Sequence, residues 1–174
     1  MKHEDTRRRG IGSHTKPNRG EFDEWITPKG ILWALGEFDL DPCGAPEPRP
    51  WDTAKRHYTK PKEDGLTMPW EGRVWLNPPY GDDVGLWMKR MAEHQNGTAL
   101  TFARTETAWW RLYVWPKVCG VMFLYGRLNF CFPDGSVSPY NSGGPSALLA
   151  YSERDATVLK GSGIRGAYVR VVQT

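Results

Sequence analysis

Cysteine is scarce in this chain. Cys43, Cys119 and Cys131 are an odd set in no paired pattern. That argues against a disulfide framework and predicts reduced thiols in a cytoplasmic protein. No apolar run approaches the roughly 20 residues that a membrane span needs. The first residues, Met-Lys-His-Glu-Asp, lead into no apolar stretch of the kind a secretory signal carries. The four histidines and three cysteines show neither Cys-x-x-Cys nor His-x-x-x-His spacing, so no metal is expected. There is no P-loop and no Gly-x-Ser-x-Gly elbow. The lone Gly-x-Gly-x-x-Gly match, from Gly161 through Gly163 to Gly166, precedes a strand and leaves only eight residues. No phosphate-binding helix can follow it, so it reads as a turn. Internal repeats are absent.

What is there suits one domain with a packed core. The chain has 174 residues, 39% hydrophobic and 25% charged. Its net charge of +3 is unevenly spread. Residues 1–20 carry six basic groups against Glu4 and Asp5, a balance of +4, which leaves residues 21–174 at −1. The first segment is rich in Gly, Pro, Ser and Thr and has no apolar periodicity. It therefore reads as a flexible basic arm ahead of one domain spanning residues 21–174. Arg7, Arg8 and Arg9 in that arm suit contact with nucleic-acid phosphates. A solvated tail that only aids solubility is the other reading.

All nine tryptophans lie between positions 25 and 115, and most read as core. Thr27-Pro28 before Ile31, Leu32 and Leu35 predicts an N-cap, a proline at the first helical position and an amphipathic helix. Phe38, Leu40 and Asp41-Pro42 predict a short strand running into a loop. Residues 44–64 read as connection. Val74-Trp75-Leu76 predicts a strand that stops at Asn77-Pro78-Pro79. Asp82 or Asp83 is expected to cap a helix with Val84, Trp87, Met88 and Met91 on one face. Residues 98–102 read as a strand and 106–115 as a helix. Residues 118–124 and 128–132 read as two strands of a hairpin turning at Gly126-Arg127. Residues 133–145 read as a loop, and 147–151 and 167–172 as the last strands. The order predicts a single α/β domain with a mixed sheet and a hairpin toward its C-terminal end. Ligands of such sheets sit at the carboxyl ends of the strands, where Asp41 and Asn77 fall. The adjacent Asp82-Asp83 pair reads as a helix cap before it reads as paired catalytic carboxylates.

Asn77-Pro78-Pro79-Tyr80 carries the most chemistry. Two prolines stiffen the loop, so the Asn77 side-chain oxygen and the Pro78 carbonyl can aim at one point as two acceptors. An exocyclic amine offers two N–H donors to match. Tyr80 supplies a ring for a heteroaromatic base to stack on. The alternative is a proline-rich turn around a core tyrosine.

These residues resemble motif IV of S-adenosylmethionine-dependent amino methyltransferases. Their surroundings resemble the small phage-type DNA N-6-adenine methyltransferases, feature by feature in order. Trp25-Ile26-Thr27-Pro28 precedes a helix, and Phe38-Asp39-Leu40-Asp41-Pro42-Cys43 and Asp64-Gly65-Leu66 with Trp70 follow. After the Asn-Pro-Pro-Tyr come Trp87, Thr105-Glu106-Thr107, Trp110, and Gly126-Arg127-Leu128-Asn129-Phe130 ahead of Pro145-Ser146-Ala147. The resemblance covers about residues 21–152. It implies a Rossmann-like methyltransferase fold, with S-adenosylmethionine as cosubstrate and no metal. It also implies that Thr27, Asp41, Pro42 and Cys43 line the methionine end of that cosubstrate and that Asp64 meets its adenine. Asn77, Pro78, Pro79 and Tyr80 are then the catalytic set that holds the target base. After Asp-Pro-Cys the chain departs from the pattern, with Gly44-Ala45-Pro46-Glu47-Pro48 replacing a glycine-rich turn and only Asp52 on offer for the ribose.

The implied reaction is transfer of a methyl group to the N6 amine of adenine in DNA, in line, after the base leaves the stack. None of the three cysteines is needed as a nucleophile. Arg127 and Tyr140, at the start of and within the loops after residue 125, are expected to contact DNA together with the arm. Methylation of another planar amine (cytosine N4, an RNA base or a glutamine) shares this chemistry. A non-catalytic nucleic-acid binder is the reading motivated by the irregular loop after Cys43.

Overall fold

A computed structural model describes residues 25–172. The basic arm with Arg7, Arg8 and Arg9 lies outside the described residues. The elements are α1 (Lys29–Leu35), β1 (Leu40–Asp41), β2 (Arg56–His57), β3 (Val74–Leu76), α2 (Val84–His94) and β4 (Gly97–Phe102). Then come α3 (Ala108–Tyr113), β5 (Gly120–Leu124), β6 (Ser146–Ala150), α4 (Glu153–Gly161) and β7 (Gly166–Arg170). The seven strands form one sheet in the order β2-β1-β3-β4-β6-β5-β7. The first four positions pair in parallel, and β6 pairs antiparallel with both β4 and β5. A mixed α/β sheet is thus what the sequence led us to expect.

Alternation along the strands sorts the core into two layers. Val74 and Leu76 of β3, Ala99 of β4, Val121 of β5 and Leu149 of β6 face α2 and α3, where Trp87, Met88, Met91 and Trp110 meet them. Trp75, Leu100, Met122 and Leu148 point the other way, onto Ile31, Leu32 and Leu35 of α1 and Ala156 and Leu159 of α4. Helices cover both faces, so the central strands β3, β4 and β6 are buried at every position. Trp75, Trp87 and Trp110 fill core volume as expected, whereas Trp33 is 72% exposed.

Four local expectations are corrected. The hairpin after β5 does not form. Both edges of β5 are already taken, by β6 and by β7, so residues 128–132 find no ladder to join. They fold back on their own loop instead, with Phe132 N, Ser138 N and Ser142 N donating to Ser136, Phe130 and Leu128 carbonyls. Cys131 makes single bridges to Ile26 and Val137. Second, α1 starts one residue late: Pro28 is its cap, because Thr27 stays in the extended segment paired through Ile26. Third, the stretch read as connection contains β2, an edge strand held by backbone pairing to β1. Fourth, α4 went unread although Ser152 caps it, its hydroxyl accepting from Asp155 N. Asp83 does sit at the cap position of α2, without a side-chain bond.

One buried ion pair ties these layers together at the amino ends of the strands. Arg73, just before β3, is 3% exposed, and Asp155 of α4 is fully buried. Arg73 Nε donates to Asp155 Oδ1 at 2.7 Å, while Nη1 donates to the Leu35 and Glu37 carbonyls beyond α1. Thr98 of β4 and Ser152 donate to the same carboxylate. Removing one partner leaves the other charge buried alone. Arg73→Met should therefore lower folding stability by about 3–5 kcal/mol in urea denaturation. A loss below about 1 kcal/mol would mean that the pair contributes little.

Candidate active site

The carboxyl ends of β1 and β3 lie side by side in the sheet, and the chemistry-bearing loops start there. Asp41 closes β1 and is 4% exposed. Its Oδ1 accepts from Cys43 N at 3.0 Å, and its Oδ2 accepts from the Thr53 hydroxyl. Burial outweighs those hydrogen bonds and pushes the Asp41 carboxyl up to about 6. The Cys43 thiol donates to the Asn77 carbonyl at 3.2 Å, which fastens the loop after β1 to the loop after β3. Burial and the neighbouring Asp41 push that thiol well up, so it stays protonated and acts as a donor.

Asn77 is fixed from both ends of its amide. Nδ2 donates to the Trp25 carbonyl at 3.3 Å, and Oδ1 accepts from the Tyr80 hydroxyl at 3.3 Å. That leaves one lone pair of Oδ1 free for a further donor. Pro78 is buried and Pro79 exposed, and no backbone N–H among the described residues takes the Pro78 carbonyl. The Tyr80 ring stacks on Phe102 with centroids 4.3 Å apart and meets Phe130 edge-on at 6.2 Å. One face of the ring is thus spent on Phe102 packing. Burial pushes the Tyr80 hydroxyl above its ordinary range, so it remains a neutral donor.

Asp64 comes close to β1 through Gly65. A Cβ on Gly65 would stand 1.8 Å from the Pro42 carbonyl oxygen, so only glycine lets the two segments touch. Around it, Trp70 Nε1 donates to Gly65 O at 2.7 Å, and Arg90 of α2 donates to the Leu66 and Met68 carbonyls. Asp64 Oδ1 accepts from Leu66 N, which together with Lys60 holds its carboxyl low and ionised. Thr27 is buried, its carbonyl accepting from Trp51 Nε1 at 3.1 Å.

Beyond β5, Arg127 donates from Nη1 to the Ser142 carbonyl at 3.3 Å, and Tyr140 is 69% exposed. The loop they belong to reaches the site through Phe130 and through Gly144, which packs on the Phe102 ring. Its Gly135 packs against Pro50 and Trp51.

The sequence therefore named residues that the fold does bring together: Asp41, Pro42, Cys43 and Asn77 through direct contact, Tyr80 through Asn77, and Asp64 through Gly65. It did not name Thr53, His57, Arg49 or the Trp25 carbonyl. His57 Nε2 lies 3.1 Å from Thr53 Oγ1, so a polar chain runs from His57 through Thr53 to Asp41. No spacing signal announces these partners, because Arg49 and Thr53 sit in an irregular loop, His57 in a two-residue strand and Trp25 ahead of α1. Asp52, the sequence's candidate for a ribose, faces Arg49 and His57 instead. Among the described residues no group of three or more His, Cys, Asp or Glu could hold a metal, and no helix is long and apolar enough to cross a membrane.

Helices on both faces of a mixed sheet, with an amide, a proline carbonyl and a carboxylate at the strand ends, define a class. It is the mixed α/β domains, built here on one seven-stranded sheet. Within it, residues 12–157 match the family described as DNA N-6-adenine-methyltransferase (Dam), and the chain belongs to that family. It has no match among curated proteins or among solved structures.

Asp41 offers a direct check of the site's electrostatics. Its folded value of about 6 lies above the unfolded 3.8, so the folded state keeps a proton that the unfolded chain releases. Its contribution to stability is full below pH 3.8 and is lost as pH rises toward 6. The Asp41 carboxyl carbon should titrate by NMR with a midpoint near 6. Thr53→Val removes a donor that favours the ionised form, so the midpoint should rise further. A midpoint that Thr53→Val leaves in place would contradict the network.

Proposed function

We propose that this chain transfers a methyl group from S-adenosylmethionine to the N6 amine of adenine in DNA, on a Rossmann-like methyltransferase fold. The observation that carries this is the Cys43–Asn77 contact. It sets the buried Asp41 carboxylate and the Asn-Pro-Pro-Tyr acceptors on adjoining strand ends, as a donor pocket and an acceptor pocket must be. Family membership supports the choice of base and reaction. A cytoplasmic location accords with the three free cysteines.

The donor side fits the residues present. Asp41 has lone pairs left after Cys43 N and Thr53, and a buried carboxylate suits the ammonium group of the cosubstrate. Thr27, Pro42 and Cys43 would complete the methionine end, and Asp64 would accept from the adenine amine. When bound, S-adenosylmethionine supplies an electrophilic methyl on a sulfonium. On the acceptor side, Asn77 Oδ1 and the Pro78 carbonyl take the two N–H groups of the base amine and hold its lone pair toward that methyl. Pro79 stiffens the loop. The Tyr80 hydroxyl steadies Asn77, and the ring face turned away from Phe102 would receive the base. Positioning supplies most of the acceleration. The Cys43 thiol, held protonated, is a strut between the two sides and not a nucleophile.

On the DNA side, loop 126–145 meets the acceptor pocket through Phe130 and Gly144; its Arg127 would contact DNA, and Tyr140 is exposed enough to fill the place of a flipped base. Arg7, Arg8 and Arg9 add phosphate contacts on a domain that is otherwise slightly acidic.

Incubation with DNA and the methyl donor, followed by digestion and mass spectrometry, should reveal N6-methyladenine. N4-methylcytosine, or no methylated base, would overturn the assignment. Asn77→Ala should cut the rate by several kcal/mol of barrier while leaving cosubstrate affinity nearly unchanged. A residual rate above about a tenth of wild type, under 1.4 kcal/mol, would remove Asn77 from this role. Deleting residues 1–20 should flatten the salt dependence of DNA affinity by about 3 in slope if three or four cations engage phosphates. Turnover at saturating DNA should barely change. Equal slopes would make the arm a solvated tail.

A further inference from the structure

The loop between β1 and β2 buries a guanidinium that nothing described so far employs. The Arg49 side chain is only 11% exposed. Its Nη1 and Nε are buried and hydrogen-bond to nothing among the described residues. Nη2 meets Glu47 at 2.5 Å, and Nε faces Asp52 at 3.7 Å, beyond hydrogen-bond reach. Both acids are mostly in solvent, 68% and 73% exposed, so they offset the charge only from outside. On the inner side the charge of Arg49 is felt by Asp41, whose carboxyl it pulls down, and by His57, whose imidazole it also pulls down. A nearly buried guanidinium with free N–H groups is costly unless an acceptor reaches it.

We infer that Arg49 receives the carboxylate of the cosubstrate's amino-acid end, opposite Asp41, which receives its ammonium group. This rests on the methyltransferase reading above. An amino acid carries both charges on one carbon, so a site for it needs a cation and an anion a few ångströms apart. Asp41 at the end of β1 and Arg49 in the loop that follows supply that pair, close enough for the charge of Arg49 to act on the Asp41 carboxyl. A guanidinium fork matches a carboxylate, and the end-on fork has Nη1 unpartnered beside an Nη2 that it shares with Glu47. The proline-rich departure from a glycine-rich turn at 44–48 then has a use: it carries a side-chain donor where that turn would offer backbone N–H groups.

Calorimetry of the full-length protein with S-adenosylhomocysteine and with its decarboxylated analogue, which keeps the amine and thioether, tests this without any turnover. Arg49→Met should weaken S-adenosylhomocysteine by about tenfold or more and leave the decarboxylated analogue within about twofold of wild type. Arg49→Lys keeps the charge and loses the fork, so it should show a smaller loss confined to S-adenosylhomocysteine, and it serves if Arg49→Met does not fold. Equal losses on both ligands would make Arg49 a loop staple to Glu47, and unchanged affinity for both would remove it from the site. Either result overturns the inference while leaving the methyltransferase reading intact. A wild-type protein that binds neither ligand overturns both.

Discussion

The Arg73–Asp155 pair holds the remainder of the architecture in place. It lies at the amino ends of the strands, where the guanidinium reaches α1 through two carbonyls and α4 through one carboxylate, while Thr98 brings in β4. Two charges taken out of water are tolerated here because Arg73 Nε and Nη1 and both carboxylate oxygens of Asp155 are hydrogen-bonded, while the guanidinium lies over the Phe38 ring. With α1 and α4 anchored at that end, the opposite end of the sheet is free to carry loops of unusual composition. Stability and chemistry thus occupy opposite ends of β1 and β3.

At the carboxyl end the logic is reversed, and polar groups are left with capacity to spare. Asp41 has donors for two of its lone pairs and a carboxyl raised toward neutrality by burial. Among the described residues, Asn77 has one acceptor position open, no backbone N–H takes the Pro78 carbonyl and Arg49 has two buried nitrogens without acceptors. Such groups cost folding free energy when nothing is bound. The Cys43–Asn77 and Gly65–Pro42 contacts keep that end compact, each joining loops more than 20 residues apart in sequence.

Loop 126–145 completes the site from a direction that strand patterning could not foresee. It alternates like a strand at residues 128–132, and in isolation it would pair with β5. The edges of β5 are occupied by β6 and β7, so the loop satisfies its backbone through serine-rich turns and a bridge to Ile26. That outcome sets Phe130 against Tyr80 and leaves Tyr140 facing solvent.

The sequence by itself determined the features that depend on near neighbours. Short strand-like runs marked β3, β4 and β6, which are buried at every position, and the apolar faces of α1 and α2 followed from Ile31, Leu32, Leu35, Trp87, Met88 and Met91. Proline and aspartate at strand ends marked Asp41 and Asn77, because those residue types stop a ladder whatever surrounds them. The polar β2, paired to β1 through its backbone, left no such trace. The α4 cap at Ser152 with Asp155 was present in the sequence, yet Asp155 is spent mainly on Arg73, 82 residues away. Tertiary structure alone decided which edge of the sheet was vacant. It also decided that Thr53 would meet Asp41, that the Trp25 carbonyl would orient Asn77, and that Arg49 would be buried beside them. Each of these needs a contact between loops, whose course is set by the competition of all strands for pairing partners, and no local pattern encodes the result of that competition.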